Sequence, residues 1–110
     1  MGIKELQRSW DQFGKLDLLW AVLVYTGKAD NRWGHQEFFA TGKHDIAEVL
    51  ADLKRMNMTV PEGTVLDFGC AVGRLTQALA DEFPEVVGVD IAPSMLELAR
   101  RYNRHGDHCQ

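Results

Sequence analysis

The run Val65-Leu66-Asp67-Phe68-Gly69-Cys70-Ala71-Val72-Gly73-Arg74 constrains this chain more than any other stretch. Val65 to Phe68 is an apolar run of strand formers, introduced by the breakers Pro61 and Gly63 and followed by two glycines and a helical pattern. It reads as a buried strand that turns sharply into a helix. Glycine suits such a turn because the backbone must bend tightly and bring its N–H groups against a ligand, where a Cβ would obstruct. A second apolar strand, Val86-Val87-Gly88-Val89, ends in Asp90, seventeen residues after Gly73. A carboxylate at that strand end suits the two hydroxyls of a ribose. Strand, glycine turn, helix, strand and terminal acid describe half of a nucleoside-binding α/β fold.

These same residues resemble a known family. Val65 to Leu75, followed by Val86 to Leu96, is similar to the first two motifs of the class I S-adenosylmethionine-dependent methyltransferases. The glycine spacing separates this pattern from a nicotinamide-type G-x-G-x-x-G fingerprint, which would need glycine at positions 71 and 74, where the chain has Ala71 and Arg74. The methyltransferase pattern matches at Gly69 and Gly73 and departs at Ala71, where a requirement for positive φ would strain the loop. The motif resemblance covers residues 60–103, and Trp33 to Leu53 resembles the segment that precedes the first strand in such enzymes.

The resemblance implies a Rossmann-like α/β fold of which the chain carries the N-terminal part only: a helical N-terminal segment, then β-α-β-α, with the sheet incomplete. It divides the chain into a cap and loop segment, 1–42, and a partial cofactor-binding module, 43–110. It implies S-adenosyl-L-methionine as cofactor. The amino-acid end of that ligand is expected at the Gly69-Cys70-Ala71-Val72-Gly73 loop, where the N-terminus of the following helix suits a carboxylate and Asp67 suits an ammonium. Asp90 is expected to take the ribose hydroxyls, Ile91 to lie against the adenine, and Met95 to line the same side. Methyl transfer from a sulfonium asks mainly for alignment of donor and acceptor. No catalytic residue is assigned, and Arg74 is the arginine nearest the rim of the expected pocket.

Patterns along the chain place the remaining elements. Residues 3–26 read as helix, broken at Gly14, with Leu16, Leu19, Trp20, Leu23 and Val24 at helical spacing and Gly27 as a stop. This segment is either a cap over a substrate site or a helix that covers apolar surface. Ala29 to Gly42 reads as an irregular loop, in which Trp33 and Phe38 are candidates for the pocket by resemblance. Lys43 to Asn57 reads as a helix with the stripe Ile46, Val49, Leu50, Leu53 and Met56, expected to pack on the first strand. Arg74 to Phe83 and Pro93 to Asn103 complete the helices, and His108 to Gln110 offers the start of a third strand.

Composition narrows the classes of partner. The formal net charge of −4 carries no electrostatic footprint for nucleic acid or an anionic membrane. Leu16 to Tyr25, the most apolar stretch, is too short to span a bilayer. Two cysteines, Cys70 and Cys109, make no disulfide framework, so a cytoplasmic setting is expected. Cys70 reads as a small buried apolar residue rather than a nucleophile. His105 and His108 in the polar tail read as solvated, and no metal site is expected.

A small-molecule acceptor is therefore the expected partner, with the acceptor site itself outside this stretch and the isolated chain inactive. Two alternatives stand beside this reading. One is a non-catalytic module of the same fold, with an assembly or regulatory role; the other is a fragment of a nicotinamide-dependent oxidoreductase. Two parallel strands leave both edges unpaired, so a homo-oligomer, through edge pairing or exchanged elements, is one way to complete the sheet.

Overall fold

The computed structural model describes residues 2–16, 19, 22–23, 28 and 32–109. Its centre is a parallel pair, β1 (Thr64–Phe68) and β2 (Glu85–Val89), in the register Thr64 opposite Glu85 and Phe68 opposite Val89. Among the described residues the named helices are α1 (Ile3–Lys15), α2 (His35–Arg55), α3 (Arg74–Ala80) and α4 (Pro93–Tyr102). Parallel strands need a crossover, and α3 supplies it. A 3₁₀ turn at Gly106–His108 then brings Cys109 beside Val86 in an isolated parallel bridge.

Among the described residues only one face of β1 is covered. Val65 and Asp67 are half-buried, whereas Leu66 and Phe68 are 61% and 85% exposed. The apolar run that reads as a fully buried strand is thus buried on alternate residues, because a parallel sheet needs helices on both faces and β1 has them on one.

The N-terminal helix breaks where the glycine predicts, since α1 ends at Lys15. Of the second half of that segment, Leu19 and Val22 are helical, and Trp20, Val24 and Gly27 lie outside the described residues. Across the expected loop the structure differs. Helix α2 starts at His35, eight residues before Lys43, with Gly34 in extended conformation as its N-cap (φ −72°, ψ 138°) and Glu37 in its first turn. Gly42 made this stretch look broken. It lies in mid-helix because α2 packs there directly on the start of α3, and a Cβ at Gly42 would overlap the Arg74 carbonyl oxygen. The gain of about 1 kcal/mol that alanine would bring to a helix is outweighed by that overlap. Helix α2 therefore rests mainly on α3, not on β1, and its stripe is covered in part: Ile46 is buried while Val49 and Met56 are 51% and 60% exposed.

Arg74 belongs to this contact rather than to a solvated face. Its Nη1 donates to Asp45 Oδ2 at 2.7 Å and to Thr41 Oγ1 at 3.3 Å, tying α3 to α2. The aromatic residues of the expected loop are likewise used for packing. Trp33 and Phe38 are buried with Leu19, Val72, Ala92 and Met95, and their rings meet edge to face at 5.6 Å. The Trp33 indole N–H donates to the Leu23 carbonyl at 3.0 Å, which satisfies its one polar atom.

Gly42→Ala is expected to lower the unfolding free energy by about 1–3 kcal/mol in a urea titration, since the obstructing atom is backbone. Gly14→Ala should destabilise as well, because its Cβ would displace the Ser94 hydroxyl, which bonds to the Asp11 carbonyl. Equal stability of Gly42→Ala and the unmodified chain would refute the close α2–α3 contact.

Candidate functional site

At the carboxyl ends of β1 and β2 the chain makes a sharp loop, Gly69 to Gly73. Gly69 and Gly73 hold φ of 78° and 86°, a region open to glycine at little cost. Ala71 also takes a left-handed conformation, with φ of 50°. For a residue with a Cβ this costs roughly 1–2 kcal/mol. The opposing term is visible: Ala71 N–H donates to Asp90 Oδ2 at 2.8 Å. Hydrogen bonds to a charged acceptor contribute about 1.5–3 kcal/mol, enough to offset the strain.

Asp90 is thus a latch as well as a candidate ligand. Its other oxygen, Oδ1, accepts the Ala92 N–H at 2.9 Å, so one carboxylate joins the glycine loop to the residue that opens α4. Each carboxylate oxygen has a further lone pair, which leaves acceptor capacity for hydroxyls. At the strand end, Gly69 and Cys70 N–H groups both donate to the Val89 carbonyl, at 2.8 and 2.9 Å, which closes the ladder. Asp67 Oδ2 accepts the Thr76 hydroxyl at 2.7 Å, pinning the first turn of α3 to β1.

A cavity of about 620 Å³ opens at this end of the sheet. From the module it is lined by Gly69, Ala71, Asp90, Ile91 and Met95, five of the residues expected from the sequence. Cys70 and Gly73 turn instead to a second cavity of about 360 Å³, between α3 and α4, which Asp90 also borders. Asp67, Trp33 and Phe38 line neither. Burial pushes the Cys70 thiol up to about 11, with the Asp67 and Asp90 carboxylates adding to the shift.

The wall opposite the glycine loop comes from the N-terminal helix, through Ile3, Leu6 and Trp10. The pattern reading missed these residues, although their spacing puts them on one helical face. Their placement depends on a contact remote in sequence. Asp11 Oδ1 accepts the Ser94 N–H at 2.8 Å, and Ser94 Oγ donates to the Asp11 carbonyl at 2.8 Å. Ala92, the N-cap of α4, has no side-chain oxygen, so Asp11 supplies the capping carboxylate from another helix. These bonds from the Ser94 backbone and hydroxyl, with Lys15 beside them, hold the Asp11 carboxyl below its ordinary range. Gly14 lets the helices approach at this point.

Comparison with known proteins agrees with this architecture. Residues 65–110 match the family model described as a methyltransferase domain. Ubiquinone biosynthesis O-methyltransferase of Xanthomonas campestris pv. campestris is 30% identical over 73 residues, 66% of this chain and 30% of that protein. The malonyl-[acyl-carrier protein] O-methyltransferase of Anoxybacillus flavithermus is 47% identical over 65 residues, 57% of this chain and 24% of its own length. The chain therefore spans less than a third of the length of these relatives. Among solved structures, phosphoethanolamine N-methyltransferase 1 of Haemonchus contortus, in complex with phosphoethanolamine and S-adenosylhomocysteine, superposes with a TM-score of 0.63 at 20% identity. That match covers 93% of this chain and 19% of the other. Magnesium protoporphyrin IX methyltransferase of Synechocystis PCC 6803, with bound S-adenosylhomocysteine, gives 0.56 at 22% identity, over 91% of this chain and 43% of the other. The glycine loop, the acid that latches it and these matches agree: the chain is similar to the class I S-adenosylmethionine-dependent methyltransferases and carries part of the Rossmann-like fold of the two solved structures.

Proposed function

We propose that this chain forms the S-adenosylmethionine-binding part of a methyltransferase that acts on a small-molecule acceptor, and that in isolation it binds the cofactor without turnover. The observation that carries the reading is the convergence of Gly69, Ala71, Asp90, Ile91 and Met95 on one cavity. The residues fit the cofactor. A Cβ built at Gly69 would meet nothing within 4 Å, so the backbone is open to a ligand there. Asp90 keeps free lone pairs for ribose hydroxyls, and Ile91 gives apolar surface that a purine needs, while Met95, 1% exposed, belongs to the core. When bound, the cofactor supplies a methyl group on an already activated sulfonium, so the protein's work is binding and alignment.

The chain's own residues divide that work. Asp90 fixes the loop and faces the ribose; Asp67 sets the loop's entry by holding Thr76; the N-terminal helix shields the cavity from water. No general base is supplied here. Among the described residues that line the cavity Asp90 alone is ionisable, and both its oxygens hold backbone amides. Cys70 is buried and protonated, which argues against nucleophilic chemistry.

A second reading, assembly through the sheet, is favoured by one observation. Leu66 and Phe68 leave an apolar face on β1 that no described helix covers, and β1 pairs on one side only. Such an edge templates further pairing, here with a second copy of the chain.

Calorimetric titration with S-adenosylhomocysteine is expected to give binding that Asp90→Ala weakens by about 10- to 100-fold, the equivalent of one charge-assisted hydrogen bond, with a lower melting temperature from loss of the latch. Unchanged affinity in the variant would remove the cofactor reading. The thiol gives a pH test. Because the folded-state pKa of Cys70 is raised from 9.0 to about 11, its contribution to stability is complete below pH 9 and is lost as the pH rises through about 11. Alkylation of the native chain by iodoacetamide, followed by mass spectrometry, should be slow at Cys70 at pH 8 and accelerate toward that value; rapid modification at pH 8 would contradict its burial. Light scattering tests the assembly reading: self-association that Leu66→Lys abolishes supports it, and a concentration-independent monomer excludes it.

A further inference from the structure

The wall that α1 gives to the cavity is entirely apolar. Ile3, Leu6 and Trp10 stand one and two turns apart on one face, and Val22 extends them. Trp10 is held by an edge-to-face contact with Phe13 at 5.5 Å. Ile3, at 67% exposure, lies open to solvent at the same face. Across the cavity, Phe68 and Ile91 add more hydrocarbon. No lysine, arginine or histidine lines it among the described residues, and its one carboxylate, Asp90, is engaged with two backbone amides. A charged acceptor group laid against the α1 wall would find no partner among Ile3, Leu6 and Trp10. The wall is also fixed in place, since the Asp11–Ser94 pair anchors α1 one residue beyond Trp10.

We infer that the methyl acceptor presents an uncharged, apolar body, a hydrocarbon chain or an aryl ring, to the Ile3–Leu6–Trp10 face of α1. This inference rests on the cofactor site proposed above, because the same cavity must hold both. It sets the chain apart from a site for a doubly charged acceptor such as phosphoethanolamine, whose phosphate would need a cation that this wall lacks. The helix thereby acts as one side of the acceptor site and selects by exclusion of charge.

The test uses the full chain, first titrated with S-adenosylhomocysteine and then, saturated with it, titrated with 4-pentylphenol or with O-phosphoethanolamine. The phenol should bind and phosphoethanolamine should not. Leu6→Lys, which puts a cation into the wall at a half-buried position, should weaken the phenol at least about tenfold more than it weakens S-adenosylhomocysteine. Leu6→Met should restore phenol binding. Preference for phosphoethanolamine, or a Leu6→Lys variant that loses the nucleoside as much as the phenol, would overturn the inference. An unmodified chain that binds S-adenosylhomocysteine but not the phenol overturns it alone, whereas a chain that binds neither overturns the cofactor reading as well.

Discussion

One carboxylate holds the site together. Asp90 receives the Ala71 N–H on one oxygen and the Ala92 N–H on the other, so the glycine loop, the end of β2 and the start of α4 meet at a single side chain. The loop cannot relax without giving up a charged hydrogen bond, and Ala71 is kept in a backbone region that an alanine would otherwise leave. A residue read as a ligand for ribose therefore has a structural task that precedes any ligand. The two tasks are compatible because a carboxylate has four lone-pair positions, and the Ala71 and Ala92 amides take one each.

A second remote contact gives the cavity its roof. Helix α4 begins with Ala92 and Pro93, neither of which offers a capping side chain, and Asp11 fills the vacancy from 83 positions away. The same bond that completes α4 fixes α1 across the glycine loop. Stability of one helix and shape of the binding cavity are thus coupled, and the N-terminal segment is a wall of the site as well as a cover for apolar surface. Helix α2 is joined to the rest by different means: the close approach at Gly42 and the Arg74–Asp45 ion pair, with the arginine 14% exposed on its side chain. That pair is sheltered enough to orient α3, whose first turn also carries Thr76 to Asp67.

The parallel pair, its crossover helix and the acid after β2 were legible in the residues, because each follows from local chemistry: β-branched runs, glycines at a turn, Pro93 in a first helical turn. Of the loop expected at residues 29–42, residues 29–31 lie outside the described residues and 32–34 are non-helical, while the stretch from His35 is helix for an equally physical reason. Phe38, Phe39 and Gly42 carry no helical signature by themselves, and the glycine is excluded from its usual role as a breaker only by the Arg74 backbone packed against it. Arg74, read as the arginine nearest the rim, is held to α2 instead by a partner the pattern does not show, since Asp45 is 29 positions distant. Trp33 and Phe38 were assigned to a pocket on resemblance, whereas packing puts both in the core with Met95.

The sequence by itself determined the order of elements, the glycine turn and the family pattern, because those depend on backbone freedom and period within a few residues. Tertiary structure alone decided which side of the loop each residue serves. Gly69 and Ala71 face the cavity roofed by α1, while Cys70 and Gly73 face the space beneath α4, although all four lie within five consecutive positions. It also decided that Ile3, Leu6 and Trp10 line that cavity, Trp10 packing against the core as well. An amphipathic stripe specifies that something apolar must face it; only the Asp11–Ser94 contact, closing more than eighty residues of chain, specifies what.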